Sequence, residues 1–474
     1  MSTRLNRRHF IQGSAAVAGT TLIARKSSAA KLNPPYPLSG PITKEEYATL
    51  KKLVVENFKM TEVKIAAGTF HVPSHGKYSS LFSWDSGWHT IGMSRIDAQA
   101  AASEINALFS MQCENGRISH DTHFPELEKT EANFMSRVGK FLGRGQFDKE
   151  GRSAMIDPPA FLIACEKIFE RGQDRAWLDV MLPKLDKCVN YLTLDRDLFG
   201  DGLVAVIHPW ETGTDSSPCY DKILHLDFRT PLGASERMLL YPHLIQYNSK
   251  FHWDLQEAKK RNRFILEDVC FNAITMRALQ AVAKLHEAVG NKERAAELRA
   301  RAQKMMDSLD KNNWVEAKGL WNHRYDVKNP KLCDRTTCAS LLPLLTGLPS
   351  KERAERVLNQ HALKTSRFWT DYLYPFNPAD EMLHDVVYEE DLLLWRGRCI
   401  WTNMNWMMME ALRNYGRMEE ARELTRRTVK MVLHEGMREF YDFRNGQGKG
   451  QVHFNWPALS IDMIHTTWPE AVAD

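Results

Sequence analysis

Three acidic side chains crowd one short loop of this chain. In GLVAVIHPWETGTDSSPCYD, residues 202–221, Glu211, Asp215 and Asp221 surround Gly213, with Pro209 and Pro218 on either side. Gly and Pro at this density make a sharp, non-helical loop. Trp210 offers an apolar wall, which raises a carboxyl pKa by desolvation and keeps the group protonated as an acid. A solvated acidic loop has the same composition. A second group, Glu435, Glu439 and Asp442, lies just before and at the start of REFYDFRNGQGKGQVHFNWPALS, residues 438–460. Glu439 stands before an aromatic pair and an Asp and is a candidate base for activating water. Residue types alone do not separate it from Glu435 and Asp442. Gly446, Gly448 and Gly450 form a flexible loop, not a dinucleotide fingerprint, because no strand-Gly-helix unit surrounds them.

Aromatic residues accompany these acids. FSWDSGWHTIG, residues 82–92, sets Trp84 beside Asp85 and Trp88 beside His89. Sugars stack a C–H face on an aromatic ring while carboxylates and imidazoles take the hydroxyls. GRISHD, residues 116–121, adds His120. LLWRGRCIWTNMNW, residues 393–406, holds three Trp, two Arg and a Gly just before a helical stretch. The run Met407-Met408-Met409 reads as core packing. Asp195, Asp197 and Asp201 suggest calcium, but Phe199 fills a position where an EF-hand needs an oxygen, so a surface turn is expected. No His, Cys or carboxylate group has ligand spacing, so neither a metal nor a cofactor is expected. The eight cysteines read mostly as buried thiols.

Helices must position these loops. Residues 96–113, 159–169, 177–192, 269–289, 295–309, 401–415 and 421–433 carry apolar side chains at helical spacing, whereas strand-like alternation is short and scattered. A weak repeat supports this. Gly290, Glu293, Ala295, Glu297, Leu298, Arg301, Lys304 and Met305 recur in register as Gly416, Glu419, Ala421, Glu423, Leu424, Arg427, Lys430 and Met431. Each Gly suits a left-handed helix cap, and each following Glu suits a helix start. The repeated unit is therefore a helix hairpin, and Gly172 with Trp177-Leu178 is a candidate third copy. Hairpins at wide spacing suit a toroid of helix pairs better than a tight solenoid, with the chemistry in long loops at one mouth.

The chain of 474 residues is 43% hydrophobic and 26% charged, an ordinary soluble composition with length for a large core. A net charge of +4 argues against nucleic acid as the main partner. The N-terminus differs from the rest. Arg7-Arg8 precede a weakly apolar Ala/Gly-rich stretch, then Ser28-Ala29-Ala30, as in a twin-arginine export signal. Residues 1–30 are read as that signal, 31–42 as a Pro-rich linker and 43–474 as one catalytic domain. A basic disordered N-terminus is the alternative. The expected location is periplasmic or secreted, with the twin-arginine machinery as partner during export. No membrane association is expected after signal removal.

Taken together, five segments resemble glycoside hydrolase family 63 and its mannosylglycerate/glucosylglycerate-hydrolase-like bacterial members, with trehalases more distant. The likeness spans roughly residues 80–465. WETGTDSSPCYD resembles the family's W-E-S-G-x-D-x-S-P-x-x-D, whose central Asp is the general acid, which implies that role for Asp215. REFYDF…NWPALS resembles E-x-Y-N-P…F-x-W-S, whose Glu is the general base, which implies that role for Glu439. FSWDSGW, GRISH and WRGRCIWTNMNW resemble the family's sugar-contacting segments. The resemblance implies substrate contacts from Trp84, Asp85, His120, Asp157, Trp210, Gly213, Trp395, Arg396, Trp401 and Trp456. Three departures stand out: Asp157-Pro158-Pro159 replaces a Gln-Pro-Pro element, Tyr441-Asp442-Phe443 replaces Tyr-Asn-Pro, and either Ile400 or Trp401 fills a Trp position. The implied fold is all-α, an (α/α)6 barrel of helix hairpins with long active-site loops at one mouth. The implied chemistry is inverting hydrolysis of a terminal α-linked glucosyl or mannosyl residue, with the carboxyls roughly 6.5–9.5 Å apart.

Other classes remain on the same barrel. A non-catalytic sugar-binding protein is free to lose Asp215 or Glu439, and both are present. A trehalase-type hydrolase shares the acid and base. An epimerase relies on paired His, and a polysaccharide lyase on Tyr or His with Arg.

Overall fold

Gly290 and Gly416 do close helices in the left-handed conformation, with φ of 84° and 73°. The chain is seen in a computed structural model that describes residues 36–75, 78–124, 145–226, 231–381 and 394–473. The export segment expected over 1–30, and 31–35 of the linker, lie outside these residues. The rest of that linker is docked rather than free. Tyr36 and Ile42 are buried, and the Tyr36 ring stacks on His434 at 4.0 Å.

Val269–Ala288 pairs with Lys292–Asn312 across Gly290, and Thr402–Asn414 pairs with Met418–Glu435 across Gly416. The third hairpin, Ala160–Gly172 with Arg175–Asn190, is also present. There Gln173, not a Gly, takes the left-handed cap at φ 54°, and Asp174 caps the next helix. A fourth joins Ser83–Met93 to Ala98–Ser110.

The two helices of a hairpin differ in a way the sequence dictates. In Lys292–Asn312 the buried residues are Ala295, Leu298, Ala302, Met305, Met306 and Leu309, one stripe at helical spacing. Val269–Ala288 is buried nearly all round, and Ser83–Met93 completely. A helix apolar on every side needs neighbours on every side. Six such elements touch in sequence: Ser83–Met93, Ala160–Gly172, Val269–Ala288, the 3-10 stretch Cys338–Thr346, Thr402–Asn414 and Leu459–Thr467. The last returns to the first.

The all-α expectation is corrected by small antiparallel sheets of two or three strands. Buried loop backbone must pair its N–H and C=O groups, and short ladders do so here. One ladder matters for function. Cys399–Ile400 pairs with Arg438–Asp442, placing Ile400 opposite Tyr441, and Arg438–Asp442 pairs onward with Gly448–Val452. The Asp195–Asp201 segment is a turn, as expected. Asp197 accepts three backbone N–H groups, and Asp201 accepts from Asn312 and Arg324. All eight cysteines are thiols. Among the described residues no helix is long and apolar enough to cross a membrane.

Candidate active site

The buried helices begin at a common place. Trp84 and Asp85 form the first turn of Ser83–Met93. Asp157 lies three residues before Ala160–Gly172, Trp401 is the N-cap of Thr402–Asn414, and Trp456 lies three residues before Leu459–Thr467. Helix N-termini carry the positive end of the peptide dipoles, which favours negative charge nearby. A cavity of about 450 Å³ opens there. Its walls include Trp84, Asp85, His120, Asp157, Trp210, Gly213, Asp215, Trp395, Trp401, Glu439 and Trp456, all but one of the residues expected from sequence. A larger groove of about 860 Å³ shares Gln146 and Phe147 with it but contains neither Asp215 nor Glu439.

The exception is Arg396. It is buried and holds Asp221 with two hydrogen bonds of 2.8 and 2.6 Å, so it fastens the acidic loop instead of lining the cavity. Glu211 is engaged as well. Arg196 donates to it at 2.8 and 3.1 Å, and the Ile156 and Ile207 N–H groups complete its shell. Asp215 is therefore the acid of this loop that lines the cavity. The turn around it is fixed by Tyr220, whose hydroxyl meets Thr214 Oγ1 at 2.8 Å and donates to Asp268 at 3.0 Å. Tyr241 donates to the Asp215 carbonyl. Gly213 has φ 71°, and a Cβ on it would stand 2.9 Å from the Trp84 ring. Only Gly lets this loop lie on that indole.

The second carboxylate group sorts in the same way. Asp442 is held by Arg444, and Glu435 accepts from Gly448 N–H. Glu439 is buried at 3% exposure and faces the cavity. It accepts from the Tyr78 hydroxyl at 2.9 Å and Gln451 N–H at 2.8 Å. Burial and the Glu439 charge push the Tyr78 phenol up, so it stays a donor. Tyr78 escaped the sequence reading. It sits in a short polar stretch whose only signal is one aromatic, and its partner is 361 residues away.

Trp395 and Trp401 stack at 3.8 Å and 12°, with Trp456 tilted against both, forming an aromatic wall. Trp401, not Ile400, lines the cavity, because Ile400 is buried in the ladder with Tyr441. Burial, helped by the Asp157 charge, pushes the Asp85 carboxyl well above the usual range. The Trp456 indole lies close to Asp85 but outside hydrogen-bond geometry. Asp85 Oδ1 and the indole N–H groups of Trp84, Trp401 and Trp456 are buried without a hydrogen-bond partner. Buried polar atoms are nearly always paired, and these four, closed off from solvent behind the rings, are exceptions at the cavity wall.

One group of metal-ligand side-chain types occurs among the described residues. Glu104 joins His71 at 2.7 Å and His89 at 2.6 Å, and accepts from Ser86 at 2.6 Å. These short hydrogen bonds knot Gly68–His71, Ser83–Met93 and Ala98–Ser110 together. None of these residues lines the cavity.

Known proteins resemble this chain over most of its length. The chain is 29% identical to a mannosylglycerate hydrolase, MGH2, of Selaginella moellendorffii over 87% of this chain and 86% of that one. It superposes on the family 63 mannosylglycerate hydrolase of Thermus thermophilus in complex with Tris and D-glycerate. The TM-score is 0.74 at 26% identity, covering 88% of this chain and 100% of that one. A periplasmic trehalase of Salmonella newport is 26% identical over 78% of this chain and 61% of its own. The profile of the mannosylglycerate hydrolase MGH1-like glycoside hydrolase domain matches residues 78–457. With the cavity, its carboxylates and its aromatic wall inside that span, the chain belongs to the MGH1-like glycoside hydrolase family.

Proposed function

We propose that this protein is an exported, inverting α-glycosidase that removes a terminal mannosyl or glucosyl residue from a small glycoside. Asp215 protonates the glycosidic oxygen while Glu439 deprotonates a water on the opposite face of the ring. The observation that carries the reading is the meeting of these two carboxylates in one aromatic-walled cavity, from segments over 200 residues apart. The cyclic contact order of the six buried elements supports an (α/α)6 barrel with this cavity at one mouth. The mannosylglycerate hydrolases among the relatives make glycosides of glycerate the first substrates to offer. The twin arginines at 7 and 8 support export to the periplasm or beyond.

Release of reducing sugar is tested on α-mannosylglycerate, α-glucosylglycerate, trehalose and other α-linked disaccharides, and the anomer first released is followed by NMR from the two glycerate glycosides, whose aglycone is not a sugar. A β anomer released first supports inversion, and an α anomer first overturns it. Failure to release reducing sugar from any of them favours a binding protein on the same scaffold. In Glu439→Gln, azide should enter from the open face and give a β-glycosyl azide from an activated α-glycoside. Activity should persist in a chelator. Export is checked by locating the full chain with Arg7 and Arg8 changed to Lys, which should strand it in the cytoplasm.

A further inference from the structure

His120 and Asp157 form an ion pair at the cavity wall, Nδ1 to Oδ1, at 2.7 Å. Asp157 is only 2% exposed, and its other oxygen also has partners. Oδ2 accepts the Trp84 backbone N–H at 3.1 Å and the Ser83 hydroxyl at 3.2 Å. The helix Ser83–Met93 has Phe82 at its N-cap, a residue with no side-chain acceptor. Asp157 supplies that cap from 73 residues away. The peptide of His120 is tied into the same knot. Its N–H donates to Met155 O at 2.9 Å, and its carbonyl accepts Ser83 N–H at 3.0 Å. One carboxylate thus fixes both the imidazole and the turn that carries Trp84 and Asp85. Since Asp157 takes Nδ1–H, Nε2 is the ring atom left to meet a ligand.

We propose that Asp157 is a positioning residue that holds His120 as a charged donor, so that its Nε2–H reads an acceptor oxygen of the bound sugar. The identity of the ligand rests on the glycosidase reading, whereas the state of the ring does not. A neutral imidazole with Nδ1–H on Asp157 presents Nε2 as an acceptor, so one proton inverts what the ring reads. Burial is the largest single effect and opposes the cation, while the Asp157 carboxylate, itself pushed up by burial, acts with Asp121 and Asp85 to outweigh it. Together they bring His120 up to about 9. The groups facing the ring are Asp157, Asp121 on the adjoining strand and Asp85 on the helix. The Phe82 ring packs edge-on at 5.5 Å. His208 is also within electrostatic reach, and burial brings it down to about 3 and leaves it neutral. Among the described residues no Lys or Arg lines the cavity, so this imidazolium is the cation available to a sugar oxygen.

The experiment measures binding of methyl α-D-mannoside and methyl α-D-glucoside by calorimetry from pH 5 to 10, with the His120 ring followed by NMR in the same full-length protein. In the wild type, the ring should titrate near 9, and affinity should fall about 10-fold or more above it, the worth of one charge-assisted hydrogen bond. Asp157→Asn removes the charge and keeps the shape. Its His120 should titrate below the ordinary value, with near-normal affinity at pH 5 and loss at pH 7.5. His120→Gln carries a donor that does not titrate, so its affinity should stay flat from pH 7 to 10. A wild-type ring titrating near 6.5, or an Asp157→Asn variant equally weak at pH 5 and 7.5, overturns the proposal. If neither glycoside binds at any pH, the assignment of a sugar oxygen to Nε2 falls, and the ring titration still decides the ion pair.

Discussion

Glu439 receives hydrogen bonds on both oxygens, from Tyr78 and from the Gln451 backbone. These aim the carboxylate, and the Tyr78 bond is the one a substitution can remove. Tyr78→Phe should lower kcat by roughly 10-fold, the worth of a hydrogen bond to a charged group, with a smaller change in KM. Steady-state kinetics check this, and an unchanged kcat would mean that the phenol does not hold the base. Asp215→Asn should lower turnover of unactivated glycosides by about 10²–10⁴-fold, the usual worth of a positioned acid, while circular dichroism stays unchanged. A near-normal rate would remove Asp215 from the mechanism. At this scale the sequence was legible in kind but not in choice. Glu211, Asp215 and Asp221 are alike until Arg196 and Arg396 appear, 15 and 175 residues from the acids they hold. Motif resemblance singled out Asp215, and the arginines show that Glu211 and Asp221 are engaged elsewhere. That Arg396 holds Asp221 was not legible, because an Arg beside a Trp looks the same whether it faces a ligand or a loop.

The hairpins show where local sequence suffices. Their outer helices carry one apolar stripe, and the Gly cap ends the inner helix in a conformation other residues resist. A Cβ at Gly290 would meet nothing within 4 Å, so the cost of Gly290→Ala is backbone strain alone. The expected loss is about 1 kcal/mol, read from the urea midpoint. Gln173 holds the same left-handed cap in the third hairpin, so Gln173→Gly should shift that midpoint upward by up to about 1 kcal/mol. An unchanged midpoint in both variants would show that these caps are not strained. Elements without a stripe were missed. Cys338–Thr346 is a continuous apolar run with Pro343 inside it, and it folds as 3-10 turns that only its neighbours determine. The ladder that carries Glu439 is equally silent locally, since Cys399–Ile400 is too short to show alternation.

Across the whole molecule, three buried carboxylates tie elements together. Burial works against the charge on each, and neighbouring partners outweigh it: His89 and His71 at Glu104, Arg277 at Glu166, and Arg171 at Asp462. Each is held down to about 2. A carboxyl held lower in the folded chain than in the unfolded one adds stability that is complete above its unfolded pKa. That stability is lost as pH falls through the folded value. The melting temperature should therefore drop as pH falls from the ordinary carboxylate range toward 2. Asp462→Asn, which leaves Arg171 uncompensated, should cost roughly 3–5 kcal/mol at neutral pH, as for other broken buried pairs, and should flatten that acid slope. A slope identical to wild type would place the acid lability elsewhere. The aromatic wall carries a further consequence, one of heat. Three indole N–H groups and one carboxyl oxygen sit there unpaired among apolar rings. Solvent against such rings is poorly coordinated, so a sugar that covers them should bind with a negative heat-capacity change.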